Sequence, residues 1–208
     1  VLTQAAMSAA KVAGISATDS VNYLTTALNG FQLSAEDAIT VSDKFAAVAA
    51  SAATSYDEIA TALSKVASQA NLAGMSIDYT TALLTKGLET TREAPETIGT
   101  ALKTIIARFA EVKSLYTKGQ LSGTDEEGET IDVNKVQTAL RSAGISMNAF
   151  LKGEEGLDQV LLRLSSRWDD LDVLTQRYIA TMASGSRQQS RFIAMMSNYD
   201  RTMELVNA

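Results

Sequence analysis

The sequence contains no cysteine and no histidine among its 208 residues. Without cysteine, the chain has no disulfide, no thiolate metal ligand and no cysteine nucleophile. Without histidine, it also lacks the commonest general base, the commonest transition-metal ligand and the usual pH switch. We therefore expect no enzymatic activity and no cofactor, and we assign no catalytic, cofactor-binding or metal-binding residue.

Proline and aromatic residues are scarce, and no long apolar run is present. The chain has one proline and 6% aromatic residues, with 46% hydrophobic and 20% charged residues overall. This composition is typical of a globular protein, and its abundant alanine predicts thin helices that approach one another closely. The longest uncharged run, residues 20–35, is interrupted by Asn, Gln, Gly and Thr, so we expect neither a transmembrane span nor a signal peptide.

Positive charge is in the minority, since 18 basic residues face 24 acidic ones and the net charge is −6. Phosphate groups are bound mainly by lysine and arginine, so we expect no specific nucleic-acid binding. Residues 157–208 contain six arginines and no lysine. Solvated helix faces with ion pairs are one interpretation of this bias, and a partner surface built from planar guanidinium groups is the other.

Apolar residues recur at intervals of three and four along almost the whole chain, and strand-like alternation is absent. This spacing is typical of amphipathic helices. It predicts an all-α fold, a multi-helix array of antiparallel helical hairpins with short Ser/Gly-capped turns and about nine helices. Three of the patterns, at residues 56–73, 157–178 and 192–206, continue without a break, and each is predicted to be one helix.

Turn and cap residues separate these patterns. A serine hydroxyl can accept a hydrogen bond from a backbone N–H in the first helical turn, and a glutamate three residues later completes a capping box. Proline suits the first helical position, and glycine suits a C-terminal cap with positive φ. The predicted turn and cap residues are Ser16, Ser34, Ser55 with Glu58, Ser76, Pro95, Gly14, Gly74, Gly144 and Gly185.

We expect one continuous helical module that belongs to a longer protein, because the chain opens and closes inside helical patterns. Within it, residues 1–116 form N-terminal helical hairpins, residues 117–130 a polar acidic loop, and residues 131–208 a C-terminal helical hairpin that ends in amphipathic helices. The loop does not fit a calcium-binding EF-hand: with Gly128 as the invariant glycine, Gly123 and Asn134 occupy the first and twelfth positions, where Asp and Glu are required. A solvated insertion is the interpretation that remains.

The stretch SGSRQQSRF, residues 184–192, interrupts two apolar patterns. We place a turn at Gly185 and an N-cap at Ser186, and we expect the first two turns of the last helix to carry Arg187, Gln188 and Arg191. Positive charges near a helix N-terminus are disfavoured by the helix dipole. Two interpretations stay open: bonds within the chain, for instance to carbonyls of the preceding helix, and contact with an acidic partner.

The C-terminal residues 167–208, RWDDLDVLTQRYIATMASGSRQQSRFIAMMSNYDRTMELVNA, resemble the end of the core region of phage tail tape-measure proteins. The shared features are a tryptophan, an arginine-containing amphipathic helix, a small-Gly-x-Arg-Gln turn and an asparagine before the end of the last helix. The stretches AGMSIDYTTALL at 73–84 and TREAPETIGTALKTIIARF at 91–109 resemble the same region, so the resemblance covers roughly residues 10–208. The residues that fit this pattern are Trp168, Arg177, Gly185, Arg187, Gln188, Phe192 and Asn198. All of them except Gly185, together with Arg191 from the SGSRQQSRF stretch, are candidate partner or packing contacts.

This resemblance implies a structural role without a catalytic residue. Tape-measure proteins act in tail assembly and tail-length determination inside the tail tube, and they leave the tube ahead of the DNA during infection. The resemblance implies self-association in the tail lumen and contacts with the tail tube protein, tail assembly chaperones and tail-tip proteins. It also implies membrane contact during infection and a location in the virion tail, with the host cytoplasm as the site of assembly.

Caps at roughly every twentieth residue predict a compact module rather than a straight rod, whose length would grow by ~1.5 Å per residue. We also expect thin helices without a disulfide or metal to unfold readily during passage through a narrow tube. Two other functions stay open. The alanine-rich, uncharged residues 45–56 are compatible with a membrane-active translocator or pore-forming domain, and paired carboxylates leave room for a metal-free enzyme.

Overall fold

The computed structural model describes residues 1–208, which fold into thirteen α-helices and one short β-hairpin. The helices of the N-terminal half are α1 (Leu2–Ala13), α2 (Ala17–Gly30), α3 (Ala38–Ser51, preceded by a 3-10 turn at Ala35–Asp37), α4 (Tyr56–Ser64), α5 (Ala67–Leu72), α6 (Ile77–Thr91) and α7 (Pro95–Thr117). Those of the C-terminal half are α8 (Val133–Ser142), α9 (Asn148–Lys152), α10 (Leu157–Trp168), α11 (Val173–Ser184), α12 (Gln189–Met196) and α13 (Tyr199–Val206). The predicted all-α class is confirmed.

The prediction of about nine helices is too low, because all three uninterrupted apolar patterns break. The pattern 56–73 becomes α4 and α5, 157–178 becomes α10 and α11, and 192–206 becomes α12 and α13. Asp172 caps the restart at α11, and Asn198, at φ 55°, caps the restart at α13. A helix that restarts in phase keeps the same apolar spacing, so the pattern alone conceals the break.

Strands β1 (Ser122–Thr124) and β2 (Thr130–Asp132) form an antiparallel hairpin that begins in the segment predicted as a polar loop, 117–130, and ends two residues beyond it. In its register, Ser122 pairs with Asp132, and Thr124 pairs with Thr130. The spacing of apolar residues does not indicate these strands. The hairpin is too short to show apolar alternation, since of its six strand residues only Ile131 is buried.

Helix α6 lies at the centre of the fold and packs against α3, α4, α5, α7, α12 and α13. Every residue from Tyr79 to Leu88 is buried, as expected for a helix surrounded on all sides. One hydrophobic core extends from Ala5 to Leu205, so the N-terminal and C-terminal helices share it. Its largest fully buried side chains are Trp168, Phe45, Phe109 and Phe192.

Small residues let pairs of helices touch along their backbones. A Cβ atom added to Gly30 at the end of α2 would stand 2.5 Å from the Cβ of Ala67 on α5. A Cβ added to Gly99 on α7 would overlap the carbonyl oxygen of Ala62 on α4. The thin, closely packed helices predicted from composition are therefore present at α2–α5 and α4–α7.

Local hydrogen bonds explain where several helices begin. Ser16, Ser55 and Ser76 each accept a bond from the backbone N–H three residues later, and the Glu58 carboxylate accepts the Ser55 N–H at 2.8 Å. The N–H of Ser34 donates to the Asp37 carboxylate at 2.9 Å, which starts the 3-10 turn. At the other predicted turn and cap positions, Pro95 is the first residue of α7, and φ is positive at Gly14, Gly74, Gly144 and Gly185.

Candidate functional site

A connected set of polar side chains joins the β1–β2 hairpin to α7 and to the C-terminal helices. We call this set the polar clasp; its members are Glu93, Arg108, Asp125, Glu127, Glu129, Ser186, Gln188 and Arg191. The acidic members and Arg108 come from α7 and the connections that flank it, whereas the others lie just before α12 or at its start. The clasp thus brings together residues distant in sequence, including the polar part of the SGSRQQSRF stretch.

Arg108 is the buried end of the clasp. Its guanidinium pairs with the Asp125 carboxylate, and the two side chains are only 4% and 3% exposed. Its Nε donates to the Met182 carbonyl at 3.1 Å, and its Nη2 donates to the Thr130 carbonyl at 3.1 Å. A buried ion pair is tolerated when further hydrogen bonds satisfy both ions, and Arg108 thereby connects α7, α11 and β2.

Asp125 shapes the tip of the hairpin as well as anchoring it. Its Oδ1 accepts the backbone N–H groups of Glu127 at 3.0 Å and of Glu129 at 2.8 Å, an Asx-type turn. Gly128 supplies the positive φ, 79°, that the reversal requires. The interpretation of residues 117–130 as a solvated insertion is wrong for Asp125, whose carboxylate is buried against Arg108.

Glu129 connects the hairpin to the turn between α11 and α12. Its carboxylate accepts the Ser186 N–H at 2.8 Å and the Ser186 hydroxyl at 2.5 Å. These bonds, the hydroxyl first, hold the pKa of Glu129 below its usual range. The predicted N-cap role of Ser186 is wrong, because α12 begins only at Gln189 and Ser186 instead binds the hairpin.

Gln188 and Arg191 extend the clasp to the α6–α7 connection. Gln188 Nε2 donates to Glu127 Oε1 at 3.0 Å, and Gln188 Oε1 accepts from Arg191 at 2.9 Å. Arg191 also donates twice to the Glu93 carboxylate, at 2.8 and 2.7 Å. This bidentate bond lowers the pKa of Glu93 from its usual value. The placement of Arg187 and Gln188 on the last helix is wrong, since both lie in the turn before α12.

The remaining residues marked by sequence divide into core, cap and surface positions. Trp168 and Phe192 form a buried edge-to-face pair with ring centroids 5.8 Å apart. Asn198 caps α13 by accepting the Arg201 N–H at 3.1 Å, and its own N–H donates to Asp169 at 2.9 Å. The side chains of Arg177 and Arg187 are exposed and make no hydrogen bond or ion pair within the chain.

Sequence reasoning missed the partners of these residues, and one signal was available. Arg108 lies on the inward stripe of α7, three residues after Ile105 and next to Phe109. A charged residue among buried apolar ones needs a partner of opposite charge, which predicts a carboxylate nearby. Sequence spacing does not indicate that this partner is Asp125, because the hairpin turn brings it back.

A groove of about 640 Å³ lies beside the clasp, between the end of α5, one side of α7 and the hairpin tip. We call it the α7 groove; among its lining residues we refer to the apolar Ile106, Ala107 and Ala110 as the floor and to Leu72, Glu111 and Glu126 as the rim. The clasp sets the position of one wall, because Asp125 and Glu126 belong to the tip. No group of three acidic side chains is arranged to hold a metal ion.

The side chains of the clasp thus bind one another. Together they form a non-covalent cross-link between the hairpin and the helices around it.

The family model described as phage-related minor tail protein matches residues 1–185 of the chain, from α1 through α11. No solved structure matches the chain.

Proposed function

Because the chain belongs to the phage-related minor tail protein family and is thus a component of the phage tail, we propose that it is a segment of a tail tape-measure protein. In this role it acts in tail assembly and tail-length determination inside the tail tube, and it leaves the tube ahead of the DNA. The family match over residues 1–185 carries the proposal. The stretches at 73–84, 91–109 and 167–208 support the finer assignment by their resemblance to the tape-measure core.

Within such a protein we assign this segment to a compact module rather than to the extended ruler. Its longest helix, α7, has 23 residues, and the chain reverses at capped turns on both sides of it. A ruler needs long straight helices, whose length grows by ~1.5 Å per residue. We therefore attribute the ruler length to the parent protein as a whole.

The proposal is tested by changing the length of the gene that encodes this chain. An in-frame insertion of about 60 helix-forming residues outside the module is expected to lengthen the tail by about 90 Å, at ~1.5 Å per residue. Tail lengths are measured by electron microscopy of purified virions. The control is a phage carrying Arg187→Met, an exposed position that leaves the residue count unchanged. Tails of unchanged length in the insertion phage would overturn the length-setting role.

Partners follow from the same proposal. We propose self-association in the tail lumen, contacts with the tail tube protein, assembly chaperones and tail-tip proteins, membrane contact during infection, and assembly in the host cytoplasm. The chain is also proposed to unfold readily as it leaves the tube, since no disulfide reinforces its helices. Single-molecule pulling should then show unfolding at low force, and an unusually resistant module would contradict the exit step.

The large side chains of residues 45–56, the stretch behind the membrane-active alternative, lie in the core, whereas five smaller residues of this stretch are exposed. Phe45 and Val48 are fully buried, and Phe45 packs edge-to-face on Tyr56 with centroids 5.5 Å apart. None of the thirteen helices combines the length and the apolar character that crossing a membrane requires. Dye release from vesicles of anionic phospholipid by the folded chain would nevertheless favour that alternative over a purely structural role.

A further inference from the structure

Helix α11 exposes an apolar face that no other part of the chain covers. Val173 is 61% exposed, Leu174 78% and Tyr178 41%. Together with Arg177 they occupy positions i, i+1, i+4 and i+5, which lie on one side of a helix. We call these four residues the α11 face. The apolar pattern at 157–178 predicts Leu174 and Tyr178 in the core, and their exposure is instead the signature of an interaction surface.

The α7 groove is negatively charged, whereas the α11 face carries the positive charge of Arg177. Its rim carries Glu111 and Glu126, neither of which forms an ion pair, while Asp125 is already neutralised by Arg108. The one cation in its lining, Lys113, lies 5.2 Å from the centroid of the Phe150 ring. One negative charge therefore remains, beside an apolar floor and the 82% exposed side chain of Leu72.

We propose that the α11 face of one copy of the chain docks into the α7 groove of a second copy. Val173, Leu174 and Tyr178 then cover the apolar floor and Leu72, and Arg177 meets the acidic rim. The dimensions agree, because the groove follows α7 for about 12 Å from Ile106 to Ser114 and the face spans about 8 Å of α11 at ~1.5 Å per residue. Complementary charge at the rim favours this pairing over face-to-face or groove-to-groove contact.

The two surfaces share no residue, so one copy can use both at once. Such a heterologous contact joins copies head to tail and produces a ring or an open filament. The contact extends the proposed self-association to named surfaces, but it does not depend on the length-setting role. The two proposals can therefore fail separately. Tail length can fail to follow gene length while the contact is present, and tail length can follow gene length while the contact is absent.

Disulfide trapping tests the contact, since the chain has no cysteine of its own. The single variants Leu72→Cys and Leu174→Cys change exposed side chains and are expected to fold normally. After mixing and mild oxidation of the full chains, mass spectrometry should find the mixed 72–174 disulfide roughly tenfold above either homodimer, a preference that a random mixture would not show. A mixed disulfide no more abundant than random pairing of the two variants gives would overturn the proposal.

Charge reversal gives a second readout that needs no cross-link. Arg177→Glu and Glu126→Arg should each raise the dissociation constant of self-association roughly tenfold, as measured by sedimentation velocity. Mixing the two variants should restore association, because the reversed face of one variant then meets the reversed rim of the other and opposite charges attract again. Arg187→Glu is the matched control, since Arg187 is exposed but lies outside both surfaces. A chain that stays monomeric in every sample, or a mixture without restored association, would contradict the contact.

Discussion

Arg108 occupies a position on α7 where its neighbours Ile105 and Phe109 are both buried. Its guanidinium satisfies one carboxylate and two carbonyl oxygens from three other segments. Removing one partner of a buried ion pair leaves an uncompensated charge, which costs more than the pair itself contributes. Replacing a single residue of the clasp is therefore expected to lower the free energy of unfolding by more than the number of its hydrogen bonds indicates.

Replacing Arg108 tests this asymmetry. Arg108→Met should lower the free energy of unfolding by about 3–5 kcal/mol, because the Asp125 carboxylate stays buried without a partner. Adding Asp125→Asn should recover about 1–2 kcal/mol, since the amide removes the charge and keeps the oxygen that accepts the loop N–H groups. Urea denaturation measures both variants. Arg187→Met is the control, at within about 0.5 kcal/mol of the original chain; a double variant no more stable than Arg108→Met would refute the argument.

Gly185 offers a second test at the residue scale. Its φ of 79° and ψ of 167° are open almost only to glycine, and an added Cβ would stand 2.8 Å from the Glu129 carboxylate. Gly128 has the same φ but open space around it. Gly185→Ala should therefore cost about 1–3 kcal/mol more than Gly128→Ala. Equal losses in thermal or urea unfolding would show that the Glu129 contact contributes nothing.

Single residues also show how far sequence reasoning reaches. Ser16, Ser55, Ser76 and Pro95 are predictable because a cap depends on a few neighbouring residues. The bonds of Ser186 are not, because its partner Glu129 is 57 positions away and no local pattern records it. The sequence is compatible with either an internal or an external partner for Arg191, and in the structure its side chain binds Glu93.

At the scale of elements, helices meet through two different kinds of glycine. Gly99 on α7 faces the backbone of α4 at Ala62, whereas Gly87 on α6 faces two side chains, the γ-methyl of the β-branched Ile98 and the terminal methyl of Met195. Backbone cannot move away from an added methyl group without shifting a whole helix, whereas the end of Met195 can rotate and the stiffer Ile98 can shift slightly. Similar glycines in helix interiors thus have different tolerance, which the sequence alone does not show.

Two alanine substitutions separate these cases. Each removes the helical disadvantage of glycine, worth about 0.5–1 kcal/mol. At Gly99 the clash with Ala62 should outweigh this gain and destabilise the chain by about 1–3 kcal/mol. At Gly87 the overpacking falls on side chains alone, so the net loss should be smaller than at Gly99, at up to about 1 kcal/mol. Differential scanning calorimetry of the two variants provides the comparison, and a larger loss at Gly87 would be contrary to this packing.

The hairpin is held by carboxylates, so its attachment should respond to acid. Glu129 and Glu93 have pKa values lowered from 4.5, chiefly by hydrogen bonds from Ser186 and Arg191. A lowered folded-state pKa contributes stability that is complete above the unfolded value and is lost as the pH falls through the folded one. Unfolding free energies between about pH 7 and pH 3 should fall below pH 4.5, and less steeply in Glu129→Gln. Glu154→Gln, at an exposed glutamate, should keep the original slope.

Element class was predictable from apolar spacing, while element boundaries were not. The spacing is set by which side chains face the core, and this requirement is the same on both sides of a break such as Asn198. The apolar pattern also fails to predict that Leu174 and Tyr178 are exposed, because α11 packs against α7, α8 and α12 with its other side. The hairpin escaped prediction because polar bonds to Arg108 and Ser186, rather than an apolar face, hold it in place.

For the whole molecule, one core from Ala5 to Leu205 makes the hairpins a single unit. The family match identifies the chain as a phage tail protein. The resemblance of residues 73–84, 91–109 and 167–208 indicates the same class of protein. The division into 1–116, 117–130 and 131–208 stays a prediction, although residues from all three segments meet in the clasp. The proposed structural role requires that the side chains of the clasp bind one another and do not form a ligand-binding surface.

Native-state hydrogen exchange of the full chain tests that dependence most directly. The N–H groups of Glu127 and Glu129, which donate to Asp125, should exchange slowly and together with those of α11, because the clasp joins hairpin and helix. In Arg108→Met both sets should lose protection together, while α1 and α2 keep theirs. Fast exchange of the hairpin tip in the original chain, with α11 protected to the same degree in both proteins, would contradict the account.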